Sequence, residues 1–275
     1  MIITLPSNGL FGLHQTVLNT PKLGHIRSIN SAFYTDEQLK TEFVRMLLEH
    51  PEDLSKMTLC DRDFLFDVAA SGVCLNQIST DFVCPLCKDD NGNPVTNSVV
   101  YDITQQELIA LDEDTPVEVK KRWDGIDMDV TYRFLSVPDE EKIINYALAD
   151  YENYTLRYEQ AFIAATLGQP IGSVSEIEAS IKRVDEYPMY VYFSALLFSQ
   201  MTFHGVPQYA IGKCSHCGGD IKVIIPFTAA VTTMDSAKIV NRFMSLSGMV
   251  TFKDFLDLSM PELSQMELNL RNSGE

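Results

Sequence analysis

Cys84-Pro85-Leu86-Cys87 and Cys214-Ser215-His216-Cys217 are the only clustered metal-type ligands in the sequence. A two-residue spacer lets both thiolates of a pair reach one ion, and zinc favours four such ligands in a tetrahedron. Each pair lies between two strand-like runs and is followed by a polar turn. The spacing therefore predicts two zinc knuckles, from distant parts of the chain, meeting at a single Zn2+. Pro85 stiffens the first knuckle, and Gly218-Gly219 relieve the turn after the second. The first has Lys88-Asp89 in that place, and its glycine, Gly92, arrives later. Four thiolates leave no open coordination position, so Cys84, Cys87, Cys214 and Cys217 read as ligands of a structural ion and not a catalytic one. Two unconnected, reduced and metal-free pairs are the alternative that their separation leaves open.

Other chemistries fit less well. A thioredoxin-type pair opens a helix after a strand, whereas these pairs fall at expected hairpin tips. Asp89-Asp90-Asn91-Gly92-Asn93, and the set Asp124, Asp127 and Asp129, lack the ligand pattern and closing glutamate of a calcium loop. Both read as solvated turns. No G-x-S-x-G elbow or phosphate-cradling glycine loop occurs, and His14, His25, His50, His204 and His216 are scattered. His204 reads as a helix-end cap and His216 as an exposed residue that the four sulfurs make unnecessary as a ligand. Cys60 and Cys74 read as small core residues. No catalytic residues and no enzymatic activity are expected.

The elements that must position the cysteines recur in one order. Ile26 to Ile29 reads as a short strand. Thr35-Asp36-Glu37 starts a helix with Leu39, Phe43, Met46 and Leu47 on its apolar face. A second helix runs from Leu59 to about Ser71, ended by Gly72. A strand from about Leu75 to Val83 enters the first knuckle, and Asn91-Gly92-Asn93 turns the chain into a return strand over Val99 to Ile103. In the second half a strand over Val130 to Leu135 leads to Val137-Pro138-Asp139-Glu140-Glu141, a helix start whose buried stripe is Ile143, Ile144, Ala147 and Leu148. Helices follow over Tyr154 to Leu167 and over Ser175 to about Arg183, the latter capped by Ser175 with Glu178. The helix from Met189 to Thr202 is nearly all apolar and is expected in the core. Gln208 to Gly212 leads into the second knuckle, and Ile221 to Ile225 leads away from it.

These observations predict an α+β fold, mainly helical, with two zinc-knuckle β-hairpins from two related halves meeting near a pseudo-twofold axis. The expected division is 1–111 for the first half, 112–129 for an acidic linker with Trp123 docked, 130–248 for the second half, and 249–275 for a helical tail. Two short helices separated near Pro261 are expected in that tail, docked on their own fold, with Arg271 to Glu275 fraying.

At 275 residues, 45% of them hydrophobic, the chain can bury a substantial core. Thirty-eight acids against 21 bases give a formal charge of -17. Nucleic-acid binding depends on clustered lysine and arginine, which release counterions. Here the longest basic cluster, Lys120-Lys121-Arg122, is flanked by acids. The charge argues against nucleic acid and anionic membrane as partners and for association with other proteins. The N-terminal stretch does not read as a signal peptide, and no transmembrane helix is expected. Six cysteines then suggest a reducing cytoplasm.

Leu5-Pro6-Ser7-Asn8-Gly9, the acidic helix starts at Thr35 and Pro138, the segment Leu59-Cys60-Asp61-Arg62-Asp63-Phe64-Leu65 and the knuckle at Cys84 together resemble one family. It is that of the baseplate-hub assembly proteins of T-even-like contractile-tailed bacteriophages. The resemblance implies a late viral protein that helps to build the tail baseplate hub in the host cytoplasm, with the virion as a further location. Its implied partners are other phage baseplate hub or tail proteins. The rival reading, carried by the cysteine pattern alone, is a zinc-ribbon regulator that binds nucleic acid or RNA polymerase.

Overall fold

Thr35, Thr58 and Ser136 each begin a helix in the same way. The hydroxyl accepts from the backbone N–H three residues on, and that residue's side chain accepts from the N–H of the capping residue. The computed structural model describes residues 1–30, 34–123, 128–232, 236–246 and 250–273. Two short strands, β1 (Ile2–Thr4) and β2 (Gln15–Val17), precede α1 (Leu23–Asn30), α2 (Asp36–Leu47) and α3 (Leu59–Val73). Hairpin strands β3 (Gln77–Lys88) and β4 (Pro94–Asp102) follow, then β5 (Glu118–Trp123) and β6 (Met128–Arg133). Next come α4 (Val137–Leu148), α5 (Tyr154–Thr166), α6 (Val174–Asp185) and α7 (Met189–Met201). The hairpin of β7 (Tyr209–Lys213) and β8 (Asp220–Ile224) leads to α8 (Phe227–Thr232), α9 (Ser236–Leu246), α10 (Phe252–Leu256) and α11 (Met260–Ser273). The class is α+β, with small antiparallel two-stranded sheets among the described residues. No helix among them is long and apolar enough to cross a membrane.

Two apolar clusters organise these elements. The first joins Leu5, Ile26, Phe43, Leu65, Phe66 and Tyr101 to Ile225, Phe227, Val231, Ile239, Leu246, Phe255 and Leu263. Residues from both ends of the chain thus share one core, and α8, α9 and α10 dock on α1 beside it, with α8 also against α3. The second cluster holds Val130, Tyr132, Ile143, Ala161, Ala164, Ile177, Val184, Val191 and Ala195. Trp123 packs on its edge, donating to the Tyr132 hydroxyl at 3.1 Å.

The seam between the clusters is polar. Leu59 N–H donates to the Leu135 carbonyl and Val137 N–H to the Met57 carbonyl, each at 3.2 Å. The starts of α3 and α4 are thereby paired around Thr58 and Ser136. Beside them the buried Arg62 guanidinium bridges to Glu140 of α4, contacts Asp63 at 2.7 Å and donates to Thr41 of α2 at 2.9 Å. Tyr158 of α5 donates to Glu140 at 2.7 Å. Burial alone would raise the Asp63 carboxyl, but Arg62 and Lys40 hold it below the usual range. The N-terminal segment joins this seam as well, since Ser7 N–H donates to Asp61 Oδ1 at 3.0 Å.

Several expectations change. Ile26 to Ile29 belongs to α1, not a strand; Leu23, Ile26 and Ile29 are all buried, and only a helix puts residues three apart on one face. Gly72 lies inside α3, and the left-handed positions that end it are Leu75 and Asn76. The cap of α6 is Ser173, whose hydroxyl accepts from Glu176 N–H, not Ser175. Part of the expected linker is strand β5, paired antiparallel with β6 in a register that sets Glu118 opposite Arg133 and Arg122 opposite Asp129. Asp124, Gly125 and Asp127 of that stretch, and the last two residues of the fraying end, lie outside the described residues. The break near Pro261 falls before it, because proline fits the first turn of α11. Cys60 and Cys74 are only half-buried by area, although burial pushes the Cys60 thiol up to about 12. The largest change concerns α7. Val191 and Ala195 are buried, but Met189, Phe193, Leu197 and Met201 face outward, so the helix lies on the core surface and not within it.

His204 caps the end of α7 as expected, and it does more. Its Nδ1 bonds the Thr202 carbonyl at 2.9 Å, and its Nε2 meets the Thr58 hydroxyl at 2.7 Å across the seam. Burial lowers its pKa below 6.5, so the folded state holds the ring neutral. Its stabilising contribution is complete above about pH 6.5 and declines as the pH falls, since the unfolded chain takes up the proton first. Between about pH 7 and pH 5 the melting temperature of the native chain should drop further than that of His204→Gln; equal drops would remove His204 from the acid response. Arg62→Met should cost about 3–5 kcal/mol in urea unfolding because Glu140 is left buried without its partner. A loss below about 1 kcal/mol would mean that the pair behaves like a surface bridge.

Candidate metal centre

The two cysteine hairpins are shaped by interruptions of their ladders. In the first, pairing runs from Gln77 with Asp102 to Val83 with Thr96, breaks, and resumes at Lys88 with Pro94. The break holds Cys84-Pro85-Leu86-Cys87, and the Leu86 N–H points at Cys84 Sγ at 3.4 Å. Asp89 closes the tip by accepting from the backbone of Asn91 at 2.9 Å and of Asn93 at 2.7 Å. In the second hairpin, Cys214 N–H donates to the Gly219 carbonyl and Gly218 N–H to the Cys214 carbonyl, both at 2.9 Å. That tight return needs a left-handed residue, which Gly218 supplies at φ 72°.

All four sulfurs converge. Cys84 and Cys87 Sγ are 3.7 Å apart, Cys84 and Cys217 are 3.8 Å apart, and Cys87 and Cys214 are 3.6 Å apart. All four atoms lie within 4.8 Å of one another. A disulfide would need about 2.05 Å, so these are separate thiols. A tetrahedron with metal–sulfur bonds of about 2.3 Å has edges of about 3.8 Å, and three of the contacts match it. Cys84 and Cys214 are buried, Cys87 is half-buried and Cys217 exposed, so the cluster lies at a surface with its inner side dry. Backbone N–H groups of Cys217 and then His216 stabilise the Cys214 thiolate, and its pKa falls to about 6. His216 is exposed. The group could hold a metal ion.

Three residues that the sequence did not announce, Asn97, Gly212 and Tyr101, align the hairpins. Asn97, in the middle of β4, accepts from Ser215 N–H at 2.9 Å and directs its amide at Cys214 Sγ at 3.8 Å. Asparagine is depleted in strands, which is the one signal that could have marked it. Gly212 of β7 lies under the Phe82 ring of β3, and a Cβ there would come within 2.5 Å of the ring. Tyr101 of β4 donates to the Pro207 carbonyl at 2.9 Å, fixing the approach to β7.

For an ion held by the four cysteines, Asn97 would act on affinity from outside the sulfur set. Asn97→Leu is expected to weaken binding by about 10–100-fold, as loss of such orienting partners does elsewhere, in competition with a chromophoric chelator. Unchanged affinity would reduce the Asn97 contacts to packing. No family model, no curated protein and no solved structure matches the chain.

Proposed function

We propose that Cys84, Cys87, Cys214 and Cys217 hold one structural Zn2+, which makes zinc knuckles of the two hairpins. On this reading the chain is a non-enzymatic protein-binding factor in the assembly of a phage tail baseplate hub. The observation that carries the zinc assignment is the sulfur-only donor set with tetrahedral edges. Thiolates select soft or borderline ions, and four of them leave no position for water or substrate. Such an ion can contribute about 10–16 kcal/mol of apparent binding energy to the folded state.

The assembly role is supported by the motif resemblance, by the charge of -17 and by the exposed apolar side of α7. Two of the segments that carry the resemblance are in contact, since Ser7 bonds Asp61. The proposed setting is the host cytoplasm during assembly, with the virion as a second location and hub or tail proteins as partners.

Elemental analysis of the purified chain should find one zinc per molecule, lost in Cys84→Ser and in Cys214→Ser. A chain that takes up iron with visible thiolate absorption, or no metal at all, would overturn the zinc assignment. In infected cells the tagged chain should co-purify with baseplate hub proteins. Complete baseplates made without it, or a salt-dependent mobility shift with DNA, would replace the assembly role with another.

A further inference from the structure

α7 is a helix without a charged residue, in a chain where 21% of residues are charged. Among the described residues it carries a continuous outward row. Met189, Phe193, Leu197 and Met201 are spaced four apart and are 68%, 54%, 55% and 84% exposed. Residues four apart lie one above another on a helix, so this is one stripe along the whole element. Beside it a groove of about 320 Å³ runs between α5 and α7, lined by Tyr158, Glu159, Phe162, Ile163, Tyr192 and Leu196. A stripe flanked by a groove of this kind matches the recognition of a helix by its apolar anchors at positions i, i+3, i+4 and i+7. Methionine at both ends suits it, because a flexible thioether adapts to different partners.

The rim decides which helix. Glu159 lines the groove, and Glu159 and Asp185 both lie near the Tyr192 phenol, which burial and then these two carboxylates raise in pKa. A second copy would bring another charge of -17 to an already acidic rim. We propose that the α7 stripe and its groove receive an amphipathic helix of a partner protein whose apolar face is flanked by lysine or arginine. The proposal deepens the reading of the chain as a protein-binding factor and rests on it. The apolar face supplies the buried area, while the basic flanks steer the encounter and favour this partner over acidic ones.

Trp123 provides the readout. It is the only tryptophan, and its ring lies 5.2 Å from that of Tyr190 at the start of α7. The metal-loaded chain is titrated with a stapled, Trp-free amphipathic helix bearing lysine flanks, and with its glutamate-flanked counterpart. The lysine peptide should give a saturable change in Trp123 emission, with the glutamate peptide at least tenfold weaker. Phe193→Ser with Leu197→Ser, both exposed and so harmless to folding, should weaken the lysine peptide at least tenfold. Equal binding of the two peptides, binding unaffected by the double variant, or no response to either overturns the proposal. So does a dimer, or saturable binding to phosphatidylcholine vesicles, that the double variant abolishes while neither peptide binds. If hub proteins co-purify and the peptides do not bind, this surface falls and the assembly role stands. If the lysine peptide binds and no hub protein co-purifies, the surface stands and the hub assignment falls.

Discussion

Bringing Cys84 and Cys87 against Cys214 and Cys217 closes a loop of well over a hundred residues, the central pair being separated by 127 in sequence number. Holding such distant segments together is entropically unfavourable, and the penalty grows only slowly with length. By the same reasoning, a fixed cross-link over a 100-residue loop restricts the unfolded chain by about 4.7 kcal/mol. A metal at the sulfur cluster would act in that sense. Everything between the two cysteine pairs, from β4 to β7, is then one excursion that leaves the first core, builds the second and returns. The Phe82 ring over Gly212 and the Asn97 contacts with Ser215 and Cys214 set the register of that return.

Such a closure needs the excursion to be held at its base as well, and the seam around Thr58 and Ser136 does this. Two helix starts exchange backbone hydrogen bonds there, and Arg62 places its charge among carboxylates from α3 and α4. The two cores are joined by polar groups that work only when both are in place. A charge buried in this way adds little net stability, but one left without its partner is heavily penalised. The seam therefore specifies how the cores dock more than it strengthens either one. His204 adds a link from the end of α7 to the same point, so the outward-facing helix is anchored at its C-terminal end to the start of α3.

Local chemistry was the legible part of the sequence. Thr35 marks a helix start, Asn91-Gly92-Asn93 marks a hairpin turn, and the four cysteines form two pairs because two-residue spacing is a local property. The failures have physical causes too. α7 has no polar side, so its periodicity cannot say which face is buried, and composition alone suggested burial on all sides. In β5 the run Lys120-Lys121-Arg122 hides the alternation of a strand, and the Asp129 set opposite Arg122 belongs to the partner strand. α1 is one short element whose apolar spacing is clear only over all three of Leu23, Ile26 and Ile29. Asn97 is silent in the sequence because its contacts are with Ser215 and Cys214, far along the chain.

The bare side of α7 also bears on how the chain behaves among its own copies. A helix with that much hydrocarbon in water invites association, and the surplus of acids opposes it by mutual repulsion. That protection is ionic and fades beyond a screening length of about 8 Å at physiological salt. Colloidal stability and an available apolar helix are thus two sides of one balance. The charge of -17 opposes self-association through this helix most strongly in dilute buffer, and raising the ionic strength weakens that opposition.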